Sequence, residues 1–207
     1  MAKFFYKLWS RFLTFFGDIK IFRFPFWFVY DPDDFEVDGE ATIKALEILK
    51  PGDVVLRGYR HYLDGKFIKS KRAYSHGAIY LGNNTIAHAV AEGCSTINAV
   101  DFMRCDRICV LRPSKGVKKA LALARKFVRD KIPYDFGFKR GVSSLYCFEL
   151  CAECYPTLDI PKKFPSMLFG LIKKRNGVYL SDSFFESKDF KVVFEHNPRF
   201  NISFCAE

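Results

Sequence analysis

Residues 76–90 spell a β-hairpin with a histidine on each strand, and an apolar helix headed by a cysteine follows only at residue 147. His76 to Leu81 reads as a strand, Gly82-Asn83-Asn84 as a turn, and Thr85 to Val90 as the returning strand. A hairpin commits the middle of the chain to antiparallel pairing. Alternation puts His76, Ala78 and Tyr80 on one face and Gly77, Ile79 and Leu81 on the other, with Ile86, His88 and Val90 sharing a face on the return. His88 therefore falls within a residue or two of facing His76.

The helix predicted over Cys147 to Tyr155, stopped by Pro156, follows the Gly141-Val-Ser-Ser-Leu-Tyr146 loop. A cysteine attacks as its thiolate, and a helix N-terminus and a nearby imidazolium both lower its pKa from about 8.5. Cys147 and His76 are thus the two halves of a candidate thiolate–imidazolium pair, with the base about seventy residues before the nucleophile. Such a pair needs a polar group to orient the imidazole. His88 is the expected one and Glu92, beyond Val90 on the same face, the reserve. Tyr134 lies on a loop thirteen residues before Cys147, where its hydroxyl can donate to an oxyanion.

These segments carry a resemblance. Pro133-Tyr134-Asp135-Phe136-Gly137 followed by Tyr146-Cys147-Phe148-Glu149-Leu150 resembles the Pro-Tyr…Gly…Cys-Ser-x-Leu-Val segment of NlpC-type cysteine peptidases. Ser75-His76-Gly77 through Ala87-His88-Ala89 is similar to the histidine hairpin of the circularly permuted branch, which includes YiiX-like hydrolases and the lecithin:retinol acyltransferase group. Gly52-Asp53-Val54-Val55 resembles the first strand of that branch, and Leu180-Ser-Asp-Ser-Phe184 its C-terminal segment. The resemblance covers roughly residues 50 to 195. It implies an α+β, permuted papain-like fold: a small antiparallel sheet carrying the histidine, packed on the cysteine helix. By the resemblance Cys147 is the nucleophile, His76 the general base, His88 the orienting residue and Tyr134 the oxyanion helper. Two departures stand out. Phe148 replaces the usual serine, and His88 matches the acyltransferase side, where YiiX-like members more often carry a carboxylate.

The other elements expected are a helix over Ala41–Leu49, strands over Val54–Arg57 and Ile108–Leu111, a helix over Lys118–Asp130 and a strand over Lys191–Glu195. Residues 31–207 are expected to form the hydrolase domain, with 1–30 as an appendage. Phe5, Leu8, Trp9, Phe12, Phe15 and Phe16 fall at helical spacing opposite Lys3, Lys7 and Arg11. That is an amphipathic helix of interfacial character. Ile21 to Tyr30 is aromatic-rich and, with Pro25, reads as extended. The segment is expected to dock on an anionic membrane or envelope surface, on a partner subunit, or on the domain itself.

Seven cysteines, an odd number without a short-loop framework, point to reduced thiols. No signal peptide and no apolar run of about 20 residues is evident, so a cytoplasmic or peripheral-membrane protein is expected. Cys151, Cys154, Cys105 and Cys109 read as structural, and Cys147, Cys151 and Cys154 match no standard zinc finger. No cofactor and no metal is expected. The formal charge of +10 is spread in small clusters, without the aromatic-interleaved stripe of a nucleic-acid groove, so nucleic acid is not an expected partner. The function expected is cleavage of an amide, as in a cell-wall peptide, through an acyl-enzyme on Cys147. Lipid acyl hydrolysis or transfer at the same site, and a non-catalytic binding module, are the alternatives.

Overall fold

The computed structural model describes residues 19–21, 28–30, 35–60, 72, 74–137, 143–164, 166–167, 172–173 and 177–197. Strands β1 (Ile19–Ile21) and β2 (Phe28–Tyr30) form a separate antiparallel ladder. The expected amphipathic helix before them lies outside the described residues. Helix α1 (Gly39–Ile48) is capped by Asp38, whose carboxylate accepts from Ala41 N at 2.8 Å. There follow β3 (Val54–Gly58), β4 (His76–Gly82), β5 (Thr85–Val90), β6 (Gly93–Asn98), the single-turn helix α2 (Ala99–Phe102), β7 (Arg107–Pro113) and α3 (Val117–Arg129). Helix α4 (Cys147–Cys154), the short pair β8 (Ser166–Met167) and β9 (Ile172–Lys173), α5 (Ser181–Glu186) and β10 (Phe190–His196) complete the order.

Six strands join in one antiparallel sheet, ordered β10-β7-β3-β4-β5-β6. Its centre is the expected hairpin. Asn83 and Asn84 both take positive φ (49° and 53°), the two-residue turn whose twist matches the strands it joins. The sheet is buried on both faces. Val54, Leu56, Ile79, Ala87, Ala89 and Leu111 pack with Ala120, Ala124 and Phe127 of α3 and Leu150, Cys151 and Cys154 of α4. On the other face Val55, Ala78, Tyr80, Ile86 and Val110 pack with Ala41 and Ala45 of α1 and Phe102 of α2.

The Gly52-Asp53 pair at the start of β3 has a structural reason. Gly52 has φ +95°, and a Cβ there would sit 2.7 Å from Val117 Cγ1; its carbonyl accepts from the Tyr155 hydroxyl, tying β3 to α3 and α4. Asp53 is buried and takes Arg112 of β7 in a bidentate pair, Nε at 2.9 Å and Nη2 at 2.7 Å, with Lys50 N on Oδ2 at 2.8 Å.

Helix α4 lies against β4 at Gly77. A Cβ on Gly77 would stand 2.9 Å from Phe148 Cδ1 and 3.3 Å from Leu56 Cδ2, too close for either buried ring or leucine to yield cheaply. Phe148 therefore occupies the space that a side chain at 77 would need. Gly77→Ala should lower stability by about 1–3 kcal/mol through overpacking. Gly39→Ala, with nothing within 4 Å of the new Cβ, should leave the urea midpoint unchanged or raise it. Equal midpoints for the two variants would rule out this close approach.

Candidate active site

Tyr146 is the N-cap of α4 and Cys147 its first residue. The Tyr146 hydroxyl accepts from Tyr179 N at 2.6 Å, which holds the start of the helix. Cys147 Sγ rests on the backbone of β4: it lies 3.9 Å from Ser75 O, and the Gly77 N–H points at it from the other side of His76. Its own N–H, that of Phe148 and the Tyr134 hydroxyl also converge on the sulfur. Tyr134 is brought there by a loop pinned at both ends. Cys94 N donates to Ile132 O at 2.8 Å, and Leu145 N to Pro133 O at 2.9 Å, two residues before the cysteine.

His76 and His88 meet directly, His76 Nε2 to His88 Nδ1 at 3.3 Å. Register explains the meeting: His88 pairs with Ala78, two residues along the same face from His76. Both rings flank Phe102, at centroid distances of 5.7 and 6.3 Å. Arg57, cross-strand partner of His76, lies over the same ring at 4.5 Å. The hairpin thus brings the two imidazoles together, and the 132–135 loop brings Tyr134 to Cys147. The described contacts include no hydrogen bond between Cys147 and His76; the thiol instead brackets the histidine through the backbone of its two neighbours. Glu92 stands exposed in the β5–β6 turn, with no described contact to His76.

Burial sets the electrostatics. The Cys147 thiol is pushed up to about 11 by burial, against the lowering pull of the converging N–H groups and the Tyr134 hydroxyl. This corrects the expectation of a depressed thiol: a helix N-terminus contributes about 0.3–1 kcal/mol to a charge, whereas full burial shifts a pKa by several units. His88 falls to about 4 through burial and then the Arg57 charge. His76 is held well below 6.5 by burial, then Arg57, then His88. Both partners are therefore neutral in the resting protein. Burial also raises Tyr134 well above its usual value, keeping its proton available for donation. Glu149, the third residue of α4, rises to about 7 through burial and then Asp135.

Phe102, Arg57 and Gly77 were not singled out by the sequence reading. Arg57 left one signal, a charge closing the apolar run Val54-Val55-Leu56. Phe102 left none, since α2 is a single turn. The six cysteines among the described residues are free and buried, with Cys151 and Cys154 in the core as expected. No group of three or more His, Cys, Asp or Glu side chains among the described residues is placed to hold a metal ion. No described helix is long and apolar enough to cross a membrane.

Comparison with known proteins bears on this arrangement. A family model described as permuted papain-like amidase enzyme, YaeF/YiiX, C92 family, matches residues 48–194. The crystal structure of the metalloprotein yiiX from Escherichia coli O157:H7 superposes with a TM-score of 0.58 at 15% identity, covering 72% of this chain and 98% of that one. No curated protein matches the chain. With most of its length matched and the α+β fold shared, the chain belongs to the permuted papain-like amidases of the YaeF/YiiX, C92 family.

Proposed function

We propose that the protein is a cysteine amidase that cleaves a peptide amide, as in a cell-wall peptide, through a covalent acyl-enzyme on Cys147. The observation that carries this reading is the convergence of donors on Sγ: Tyr134, Gly77 N–H and the first N–H groups of α4, beside a histidine pair. Because His76 Nε2 is engaged with His88, Nδ1 is the nitrogen left to take the thiol proton, which requires the ring to shift from its resting place beside Phe102, on the face of β4 away from α4, toward the sulfur. His76 then carries its own hydrogen on Nε2 and donates it to His88 Nδ1.

The resting pair being neutral, proton transfer accompanies attack. The sulfur forms its bond to the carbonyl carbon as its proton passes to His76 Nδ1. The oxyanion so formed takes the Tyr134 hydroxyl and the Cys147 N–H. Collapse breaks the C–N bond, and the amine leaves with the His76 proton. Water then gives a proton to His76 and attacks the thioester, and the thiolate regains its proton as it departs. A second reading, acyl transfer to or from a lipid, is favoured by His88 where related amidases more often carry a carboxylate. Parallel assays on a peptide amide and a lipid ester separate the two.

Cys147→Ala should abolish turnover of the true substrate, a loss of about a thousandfold or more. His88→Ala should lower kcat about 10- to 100-fold by freeing the imidazole, while Glu92→Ala should leave it unchanged. The reverse ranking would move the orienting role to Glu92. If Cys147→Ala retains wild-type turnover, the acyl-enzyme reading is wrong.

The pH profile carries the electrostatic argument. Activity needs neutral His76, whose pKa lies below 6.5, so kcat/KM should hold its plateau as pH falls through 6.5 and decline only at lower pH. On the alkaline side the plateau should extend until the thiol ionises near 11. A fall in kcat/KM between pH 8 and 9, the mark of an imidazolium losing its proton, would contradict the neutral pair.

A further inference from the structure

The face of the sheet that holds the two imidazoles also holds a cation without a counter-ion among the described residues. Arg57 pairs across the ladder with His76, and its guanidinium lies over Phe102 at 4.5 Å and Tyr59 at 5.4 Å. Its one hydrogen bond among the described residues is Nη1 to Phe102 O at 3.4 Å, and its buried Nε has no acceptor. Two carboxylates of the neighbouring loops, Asp106 and Glu36, are engaged elsewhere. Asp106 accepts from Glu36 N and Arg60 N, and Glu36 pairs with Arg60. Arg57 and His76 are both partly exposed.

A guanidinium lying over two rings, with a donor left unpaired among the described residues, is suited to receive an oxyanion. Nothing in the acylation chemistry requires it. A fixed cation there works against that chemistry, because it opposes the positive charge His76 must take from the thiol. An anion placed on Arg57 removes that opposition.

We infer that Arg57 is an oxyanion-recognition site beside the histidine pair, and that the preferred acyl substrate carries a carboxylate or phosphate that engages it. The substrate part of this inference rests on the hydrolase reading; the binding site does not. In the bound state the substrate's own charge offsets Arg57, so that His76 accepts the thiol proton with substrate in place and resists it otherwise. The groups facing the imidazoles are then Arg57 from β3, Phe102 from α2 and each other across β4 and β5, with Cys147 beyond the β4 backbone.

The test uses the full chain and inorganic phosphate, read by histidine ring NMR, with His76→Gln and His88→Gln serving only to assign signals. Saturating phosphate should raise the midpoint of the His76–His88 pair by about one pH unit, an effect partly kept in Arg57→Lys and lost in Arg57→Gln. N-acetylglycine and glycerol phosphate, tested side by side, tell a carboxylate from a phosphate. Folding of both variants is checked by thermal melts. No response in the wild type, or an undiminished response in Arg57→Gln, overturns the site. In a second arm, a peptide amide with a free carboxylate should be cleaved about tenfold faster than its carboxamide twin, about 1.4 kcal/mol in the transition state. Arg57→Gln should erase the difference. Equal rates in the wild type overturn the substrate preference. A phosphate response without cleavage of either peptide leaves the binding site standing and removes the hydrolase reading instead.

Discussion

Everything at the site depends on the contact between α4 and β4 at Gly77. Phe148 fills the volume a side chain at 77 would take, and this lets the first turn of the helix settle on the backbone around His76. Sγ then reaches Ser75 O and Gly77 N–H, and the Tyr134 loop, tied to Leu145 just upstream, closes over it. Phe148 therefore sets how the cysteine helix is seated. The ring is buried in the core between Gly77 and Phe184, 6.4 Å from the latter.

The same contact explains the charge state of the thiol. A helix seated this closely excludes water from the thiol, and exclusion outweighs the helix N-terminus and the donors that would favour a thiolate. The histidines are depressed by their own burial beside Phe102 on the other face of the sheet, with Arg57 adding to it. The site rests as thiol and imidazole, and in the proposed mechanism charge develops only with a substrate present. The donors around Sγ, in the oxyanion role proposed for them, benefit from such dryness, since their interaction with a forming charge is strongest where water is absent.

Much of this was legible in the sequence. The hairpin, its Asn83-Asn84 turn, α1, α3, α4 and the strands β3, β7 and β10 all follow from alternation and from Pro and Gly stops, with ends shifted by a residue or two. The family followed from the order of the His76 and Cys147 motifs. What stayed hidden has physical reasons. Strand β6 reads Gly-Cys-Ser-Thr-Ile-Asn, an edge strand whose polar outer residues erase the apolar signal, and α2 is too short for any periodicity. Alternation assigned His76 and Gly77 to opposite faces but could not say which face α4 would cover, because both are buried. The thiol's charge state was out of reach for a related reason: sequence shows the helix start but not how completely its first residue is enclosed.

The proposed chemistry rests on a buried, neutral Cys147 whose ionisation is postponed by enclosure. Its most direct test is the ultraviolet absorbance of thiolate followed against pH in the wild type, with the Cys147→Ser titration subtracted. The account predicts no thiolate on Cys147 at neutral pH and a midpoint near 11. A midpoint at or below neutrality would contradict it and restore the resting ion pair.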